Sequence, residues 1–168
     1  MANFFVCANA PDEAHFWPVR LGYIDPLVKD LEKLGHTICN PSQTFDRKFE
    51  WIRDLEEIRY CDVFVFFSWA LKSEVGRVHY SYASSLDKLI LPIVVNANWP
   101  SWYKDEDDLS PDLLPPALLK LPALEYQPND LDGYLRLAKV LRNLPAPKSL
   151  PNPLPPEPED PRPGLSPL

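Results

Sequence analysis

The chain has 168 residues, 45% of them hydrophobic and 24% charged, and carries a formal net charge of −7. These values are typical of a globular protein, and the length predicts one domain plus a tail. The acidic balance argues against nucleic-acid binding, which requires clustered Lys and Arg. No apolar run reaches the roughly 18 residues that a membrane-spanning helix needs, so no membrane partner is expected.

The three cysteines, Cys7, Cys39 and Cys61, lie in or beside predicted strands and have no metal-ligand spacing. We interpret them as small buried apolar side chains, and their odd number without a pattern suits a reducing compartment. The first residues lack the basic start and the long apolar run of a signal peptide. The sequence therefore predicts a cytoplasmic protein without a bound metal.

The first part of the chain alternates short apolar runs with helical patterns, which is typical of an α/β fold. Residues 3–8 predict a buried strand, and residues 37–39 predict a second one. The helix between them is expected to end before Gly35, the natural residue for the turn that follows a helix. Residues 50–60 predict an amphipathic helix, whose inward side chains are Trp51, Leu55 and Ile58.

The centre of the chain, residues 61–95, has the pattern strand, helix, strand. Residues 62–68 and 89–95 are nearly continuous apolar runs, typical of strands buried on both faces of a parallel sheet. Between them, Ser73 is a predicted N-cap for a helix that extends to residue 85. Spacing of three or four predicts an inner face for this helix made of Val75, Val78, Tyr82 and Ser85.

The predicted topology locates a ligand site. A strand–helix–strand unit implies a right-handed parallel crossover, and open parallel sheets bind ligands outside the carboxyl ends of their strands. The candidate ligand-binding residues follow the first and central strands or begin the next helix: Ala8, Asn9, Ser68, Trp69 and Arg77.

Beyond residue 95 the pattern is less regular. Residues 121–126 predict an edge strand, because Pro122 is compatible only with an edge. Residues 130–144 predict a final helix that is N-capped by Asn129 or Asp130. The side chains available for its inner face are Leu131, Leu135, Leu137, Val140 and Leu141.

Residues 145–168 contain ten of the 21 prolines and no aromatic residue. Such a segment cannot bury enough apolar surface to offset its ordering entropy, so we predict a disordered tail that folding does not need. The domain is then residues 1–144. Three PxxP spacings in the tail suggest an SH3-like partner, although acidic residues surround them where such ligands usually carry Arg or Lys.

Three stretches of the chain resemble the TIR (Toll/interleukin-1 receptor) domain family, especially its bacterial-type members. The first is residues 4–6, a loop and the helix end at residues 31–36, which look like the family's opening strand and first helix. Residues 61–65, CDVFV, follow Trp51, Leu55 and Ile58 as in the family's segment before its central strand. Residues 71–74, LKSE, and 88–93, KLILPI, are similar to its next segment. The resemblance covers roughly residues 3–144. It implies a flavodoxin-like, three-layer fold with a mostly parallel sheet and flanking helices.

The same region also resembles nucleoside 2-deoxyribosyltransferases and deoxynucleotide N-hydrolases. Residues 76–83, GRVHYSYA, look like the turn and helix GRxxExGYA of these enzymes, and Asp54 and Asp62 fit the preceding helix. Both families cleave an N-glycosidic bond with a Glu on the helix after the central strand. The chemistry requires this glutamate, because a carboxylate must stabilise or attack the oxocarbenium-like sugar carbon.

Both alignments place His79 where that Glu belongs, and the TIR alignment places Val75 where TIR enzymes carry a Trp. A neutral imidazole can bind a hydroxyl group but offers no fixed negative charge. Glu74 is the nearest carboxylate in sequence, but it lies about 140° around the helix from His79. The candidate catalytic residues are therefore His79, Glu74 and Asp54, none of them in the usual arrangement.

Two functions follow from the resemblance. The leading hypothesis is a TIR-like signalling or assembly module that binds other TIR-like domains or itself, needs no cofactor, and retains at most an NAD or nucleotide ligand. The alternative is an N-glycosidase or 2-deoxyribosyltransferase that acts on NAD, a nucleoside or a deoxynucleotide with a non-standard active site. The missing carboxylate at His79 favours the first.

Overall fold

The structure is a computed structural model that describes residues 1–8, 20–39, 47–67, 70–71, 73–94 and 121–162. Its described strands form one parallel sheet in the order β2-β1-β3-β4-β5, which confirms the predicted α/β fold. The strands are β1 Asn3–Cys7, β2 Thr37–Ile38, β3 Val63–Phe67, β4 Leu89–Val94 and β5 Leu124–Glu125, and the helices are α1 Asp25–Lys33, α2 Arg47–Tyr60, α3 Glu74–Ser85 and α4 Leu131–Arg142.

The strand order fixes which helices lie together. The chain moves from β1 outward to β2, then returns past β1 to β3 and continues to β4. Since parallel crossovers are right-handed, α1 lies on one face of the sheet and α2 and α3 lie on the other. The order reverses between β1 and β3, and this reversal is the point where open α/β sheets form their binding crevice.

The middle of the sheet is apolar on both faces, as the sequence predicts. Every residue of β3 is buried, and Val65 pairs in register with Val6 on one side and Leu91 on the other. The Phe5 and Phe64 rings stack with centroids 5.6 Å apart. The inward residues predicted for α2 are also buried: Trp51, Leu55 and Ile58.

Several predicted helix ends are confirmed. Ser73 caps α3, because its side-chain oxygen accepts a hydrogen bond from the Gly76 N–H at 3.3 Å. Asp130 caps α4 in the same way through Gly133. Gly35 follows α1 with a φ of 85°, a backbone conformation that L side chains rarely adopt.

The end of α2 is held by a buried lysine that the sequence analysis did not single out. Lys88 is 8% exposed, and its ammonium group donates hydrogen bonds to the carbonyl oxygens of Arg59 at 2.5 Å and Cys61 at 2.7 Å. Burial lowers the pKa of Lys88. A cation at this position satisfies the unpaired carbonyl groups at the end of a helix and complements its dipole.

The face predicted for α3 is partly wrong: Tyr82 is buried as predicted, and the other three residues are not. Val75 and Val78 are half-buried and Ser85 is exposed, whereas the buried set is Gly76, His79, Tyr80, Tyr82 and Ala83. The helix turns this face inward because Gly76 packs on the backbone of Ala70. A Cβ at residue 76 would lie 1.9 Å from the Ala70 carbonyl oxygen.

The face predicted for α4 is partly wrong. Leu131 and Leu135 are 70% and 51% exposed. The residues that α4 buries are Gly133, Leu137, Ala138 and Leu141. Leu137 and Leu141 were predicted correctly, and small residues complete the face in place of the two exposed leucines.

The proline-rich segment differs from the disordered tail expected from its composition. Residues 145–162, which we call the C-terminal segment, form neither helix nor strand and lie against the domain. The Lys148 ammonium group lies 2.6 Å from the Asp87 carboxylate, and Glu157 forms an ion pair with Arg59. These ion pairs and the packing of Leu150 against the core join the segment to the domain. No helix of the described residues is long and apolar enough to cross a membrane.

Candidate functional site

The candidate site is centred on His79, which α3 points into the space between α2 and β1. The imidazole ring stacks on the Trp51 indole with centroids 5.1 Å apart and 19° between the planes. The Phe5 and His79 rings pack edge to face, with their centroids 5.8 Å apart and 89° between their planes. His79 is only 1% exposed. We call Phe5, Trp51, Asp54 and His79 the His79 site.

The imidazole of His79 is neutral at physiological pH. Burial and, to a smaller extent, the Arg162 guanidinium lower its pKa to about 3, while Asp160 opposes the shift. Neither ring nitrogen has a hydrogen-bond partner among the described residues. The Nε2 atom lies 4.0 Å from a carboxylate oxygen of Asp54, which is too long for a hydrogen bond.

Two unpaired nitrogens in a buried ring are a chemical clue. Buried polar groups in folded proteins nearly always find a partner, and a neutral imidazole offers one donor and one acceptor. A hydroxyl group or a water molecule between His79 and Asp54 would give the imidazole a hydrogen-bond partner. The arrangement can therefore bind a polar ligand, but the imidazole supplies no negative charge.

The end of the C-terminal segment covers this site. The Arg162 guanidinium carbon lies 6.0 Å from the centre of the Trp51 ring. Arg162 also donates hydrogen bonds to the Asp160 carboxylate, from Nε at 2.9 Å and Nη2 at 2.6 Å. Burial alone would raise the pKa of Asp160, but the hydrogen bonds from Arg162 outweigh it and lower the pKa.

Glu74 and Arg77 lie away from the His79 site. Both are exposed on the outer side of α3. They line a groove of about 540 Å³ between that helix and the prolines of the C-terminal segment, Pro156, Pro158 and Pro161. Arg77 also donates a hydrogen bond from Nη1 to the Leu71 carbonyl oxygen at 2.9 Å, so it supports the turn before α3.

The other candidates divide into two groups. Asp54, which is 26% exposed, joins the His79 site. Ala8 is completely buried at the end of β1 and lines no open surface. Asn9, Ser68 and Trp69 lie outside the described residues. No cluster of three or more His, Cys, Asp or Glu side chains within the described ranges could hold a metal ion.

Phe5 and Trp51 in the His79 site, and Asp160 and Arg162 over it, were not predicted to have a functional role. Trp51 was assigned to the core, and its spacing gave no sign that it stacks on His79. Asp160 and Arg162 were assigned to a disordered tail. They are more than 100 residues from Trp51 along the chain, so no local pattern could reveal that Arg162 lies over its ring.

Comparison with known proteins finds similarity to solved structures. No protein-family model matches the chain, and no curated protein matches it. The solved structure of the CMP N-glycosidase BcmB from Clostridium botulinum matches with a TM-score of 0.51 and 18% sequence identity. The match covers 83% of this chain and 98% of that one. At this identity the likeness shows the fold alone.

Proposed function

We propose that the chain is a nucleotide-binding module of the TIR-like type that does not cleave the N-glycosidic bond. The observation that carries the proposal is the buried, neutral His79 at the helix position where the related enzymes carry a glutamate. The fold likeness to a CMP N-glycosidase supports a ligand of the nucleotide class. Signalling or assembly through other TIR-like domains, or through a second copy of the chain, is the role we assign to such a module.

The missing carboxylate has a calculable consequence. Cleavage of an N-glycosidic bond builds positive charge on the sugar carbon, and a carboxylate held against that carbon stabilises the charge. Electrostatic stabilisation of this kind is worth about 3–4 kcal/mol, or a factor of about 100 to 1,000 in rate. An uncharged imidazole provides none of it. His79 can instead donate to or accept from a sugar hydroxyl group, which favours binding without reaction.

A second function has its own supporting observation. The Asp54 carboxylate lies 4.0 Å from His79 and is 26% exposed, so a bound sugar could meet both groups. In this alternative, Asp54 supplies the negative charge from α2, and His79 orients the substrate. The chain would then be an N-glycosidase or 2-deoxyribosyltransferase with its carboxylate on a different helix. The C-terminal segment would have to move for the substrate to enter.

Turnover assays on three proteins distinguish the two functions. The full-length wild type, Asp54→Asn and His79→Glu are each incubated with CMP, dCMP and NAD, and the released base is measured by chromatography. We expect no release by the wild type. Base release that Asp54→Asn abolishes would refute the proposal and establish the alternative. His79→Glu shows whether a carboxylate at the usual position restores part of the activity.

The partners of the module are tested separately. Sedimentation of the full-length protein measures self-association, with and without CMP. The SH3-like partner remains a prediction. Three of the prolines that it would bind lie along α3 in the structure: Pro156, Pro158 and Pro161. Such a partner would have to compete with that helix for the same prolines.

A further inference from the structure

We propose that the C-terminal segment is an intramolecular competitor of the ligand: it covers the His79 site, and the Asp160–Arg162 pair occupies the place that a bound nucleotide would take. The proposal deepens the proposed function and rests on it for the identity of the ligand. The cover itself rests only on contacts within the chain.

The segment is attached at three points along the α2 and α3 face. Lys148 meets Asp87 in the turn after α3, at the amino end of the sheet. Glu157 meets Arg59 in the last turn of α2. Arg162 then lies over Trp51, which is two turns earlier on the same helix and close to the carboxyl ends of the strands. The segment therefore runs along the domain from the amino end of the sheet towards its carboxyl end.

The segment becomes less exposed towards the site. The Lys148 and Glu157 side chains are 64% and 55% exposed, and exposed ion pairs contribute little to stability. The terminal pair is more enclosed, since the side chains of Arg162 and Asp160 are 24% and 10% exposed. A segment held in this way can leave the surface without unfolding the domain. While it is bound, its end shields His79 from water.

The terminal pair has the chemical features of a nucleotide. A guanidinium group is planar and stacks on aromatic rings, as a base does. Asp160 adds an anion beside it, as a phosphate would, and both groups are close enough to shift the pKa of His79. A ligand with a flat ring and a negative charge would take the place of Arg162 over Trp51 and of Asp160 beside it, so the segment and the ligand exclude each other.

The test uses full-length variants that loosen the middle attachment. Glu157→Arg places two cations together at Arg59. The double variant Arg59→Glu, Glu157→Arg restores an ion pair with reversed charges. Glu159→Arg makes the same charge change at a neighbouring exposed residue that has no ion pair among the described residues. Lys148→Glu, opposite Asp87, is a second releasing variant at an independent attachment.

The first measurement needs no ligand. Proton NMR follows the titration of the three histidines, and His79→Gln assigns the signal. We expect Glu157→Arg and Lys148→Glu to move the midpoint of His79 upward by about one pH unit or more, because water reaches the ring and Arg162 departs. Glu159→Arg and the double variant should titrate as the wild type does. If both releasing variants are folded by circular dichroism and His79 titrates as in the wild type, the proposal that the segment covers the site is refuted.

The second measurement is CMP binding by calorimetry. If the segment covers the site in about nine molecules out of ten, the releasing variants bind CMP about tenfold more tightly than the wild type. Equal CMP affinity in the releasing variants and the wild type would refute the proposal that the segment competes with the ligand. A released His79 site that binds no CMP in any variant would leave the cover established and refute the proposed nucleotide function, so the two failures are distinguishable.

Discussion

Acidification is expected to destabilise the protein through His79. In the unfolded chain this imidazole binds its proton with an ordinary pKa of about 6.5. In the folded protein burial lowers the pKa to about 3. Between these two pH values the unfolded state holds a proton that the folded state does not, so the free energy of unfolding falls as the pH falls.

The magnitude follows from the size of the shift. One proton bound only by the unfolded state changes the free energy of unfolding by about 1.4 kcal/mol per pH unit. Two pH units below the unfolded pKa, at about pH 4.5, His79 alone therefore removes about 2.7 kcal/mol. The loss is absent above about pH 7, where neither state is protonated.

Urea denaturation from pH 7.5 to 4.5 measures the effect, with His79→Gln as the variant that cannot titrate. We expect the free energy of unfolding of the wild type to fall more steeply than that of His79→Gln. His36→Gln is the matched control, because burial and the N-terminal ammonium lower the pKa of His36 too, but that side chain is less buried. Parallel pH dependences of the wild type and His79→Gln would refute a buried, neutral imidazole at residue 79.

Three further predictions concern the scaffold of the site. Gly76→Ala should lower the free energy of unfolding, measured by urea denaturation, by about 1–3 kcal/mol, because the new methyl group would overlap the Ala70 carbonyl. Gly22→Ala is the control, because a Cβ added at residue 22 would have no atom within 4 Å. Truncation after residue 144 should lower the melting temperature by about 2–6 °C through lost surface contacts, and an unchanged value in calorimetry would mean that the segment does not pack. Val65→Asp would bury an unpaired charge within the sheet at a cost of several kcal/mol, so folded, soluble mutant protein on gel filtration would contradict two-sided burial.

Most of the fold was predictable because its signals are local. The apolar runs around Val65 and Leu91 reveal strands buried on both faces, and Ser73, Asp130 and Gly35 mark helix ends by their own side-chain or backbone chemistry. Alternation of strands and helices then selects a parallel sheet. These features depend on residues a few positions apart, which is the range that sequence patterns describe.

The site was less predictable because its contacts are distant. The face of α3 depends on Gly76 approaching Ala70 closely, and hydrophobic spacing favours valines over glycine. The cover over His79 depends on Glu157 meeting Arg59, 98 residues apart in the chain. Composition alone predicts disorder for such a proline-rich segment, because composition does not show which cations of the folded domain lie close to the segment.

The central claim is that the chain holds a nucleotide beside a neutral His79 and leaves it intact. Equilibrium dialysis of the full-length wild type against radiolabelled CMP, followed by chromatography of the bound and free label, measures binding and cleavage in one sample. We expect label retained on the protein and recovered entirely as CMP. Label recovered as free cytosine, in amounts that grow with time and disappear in Asp54→Asn, would contradict the claim and identify an enzyme.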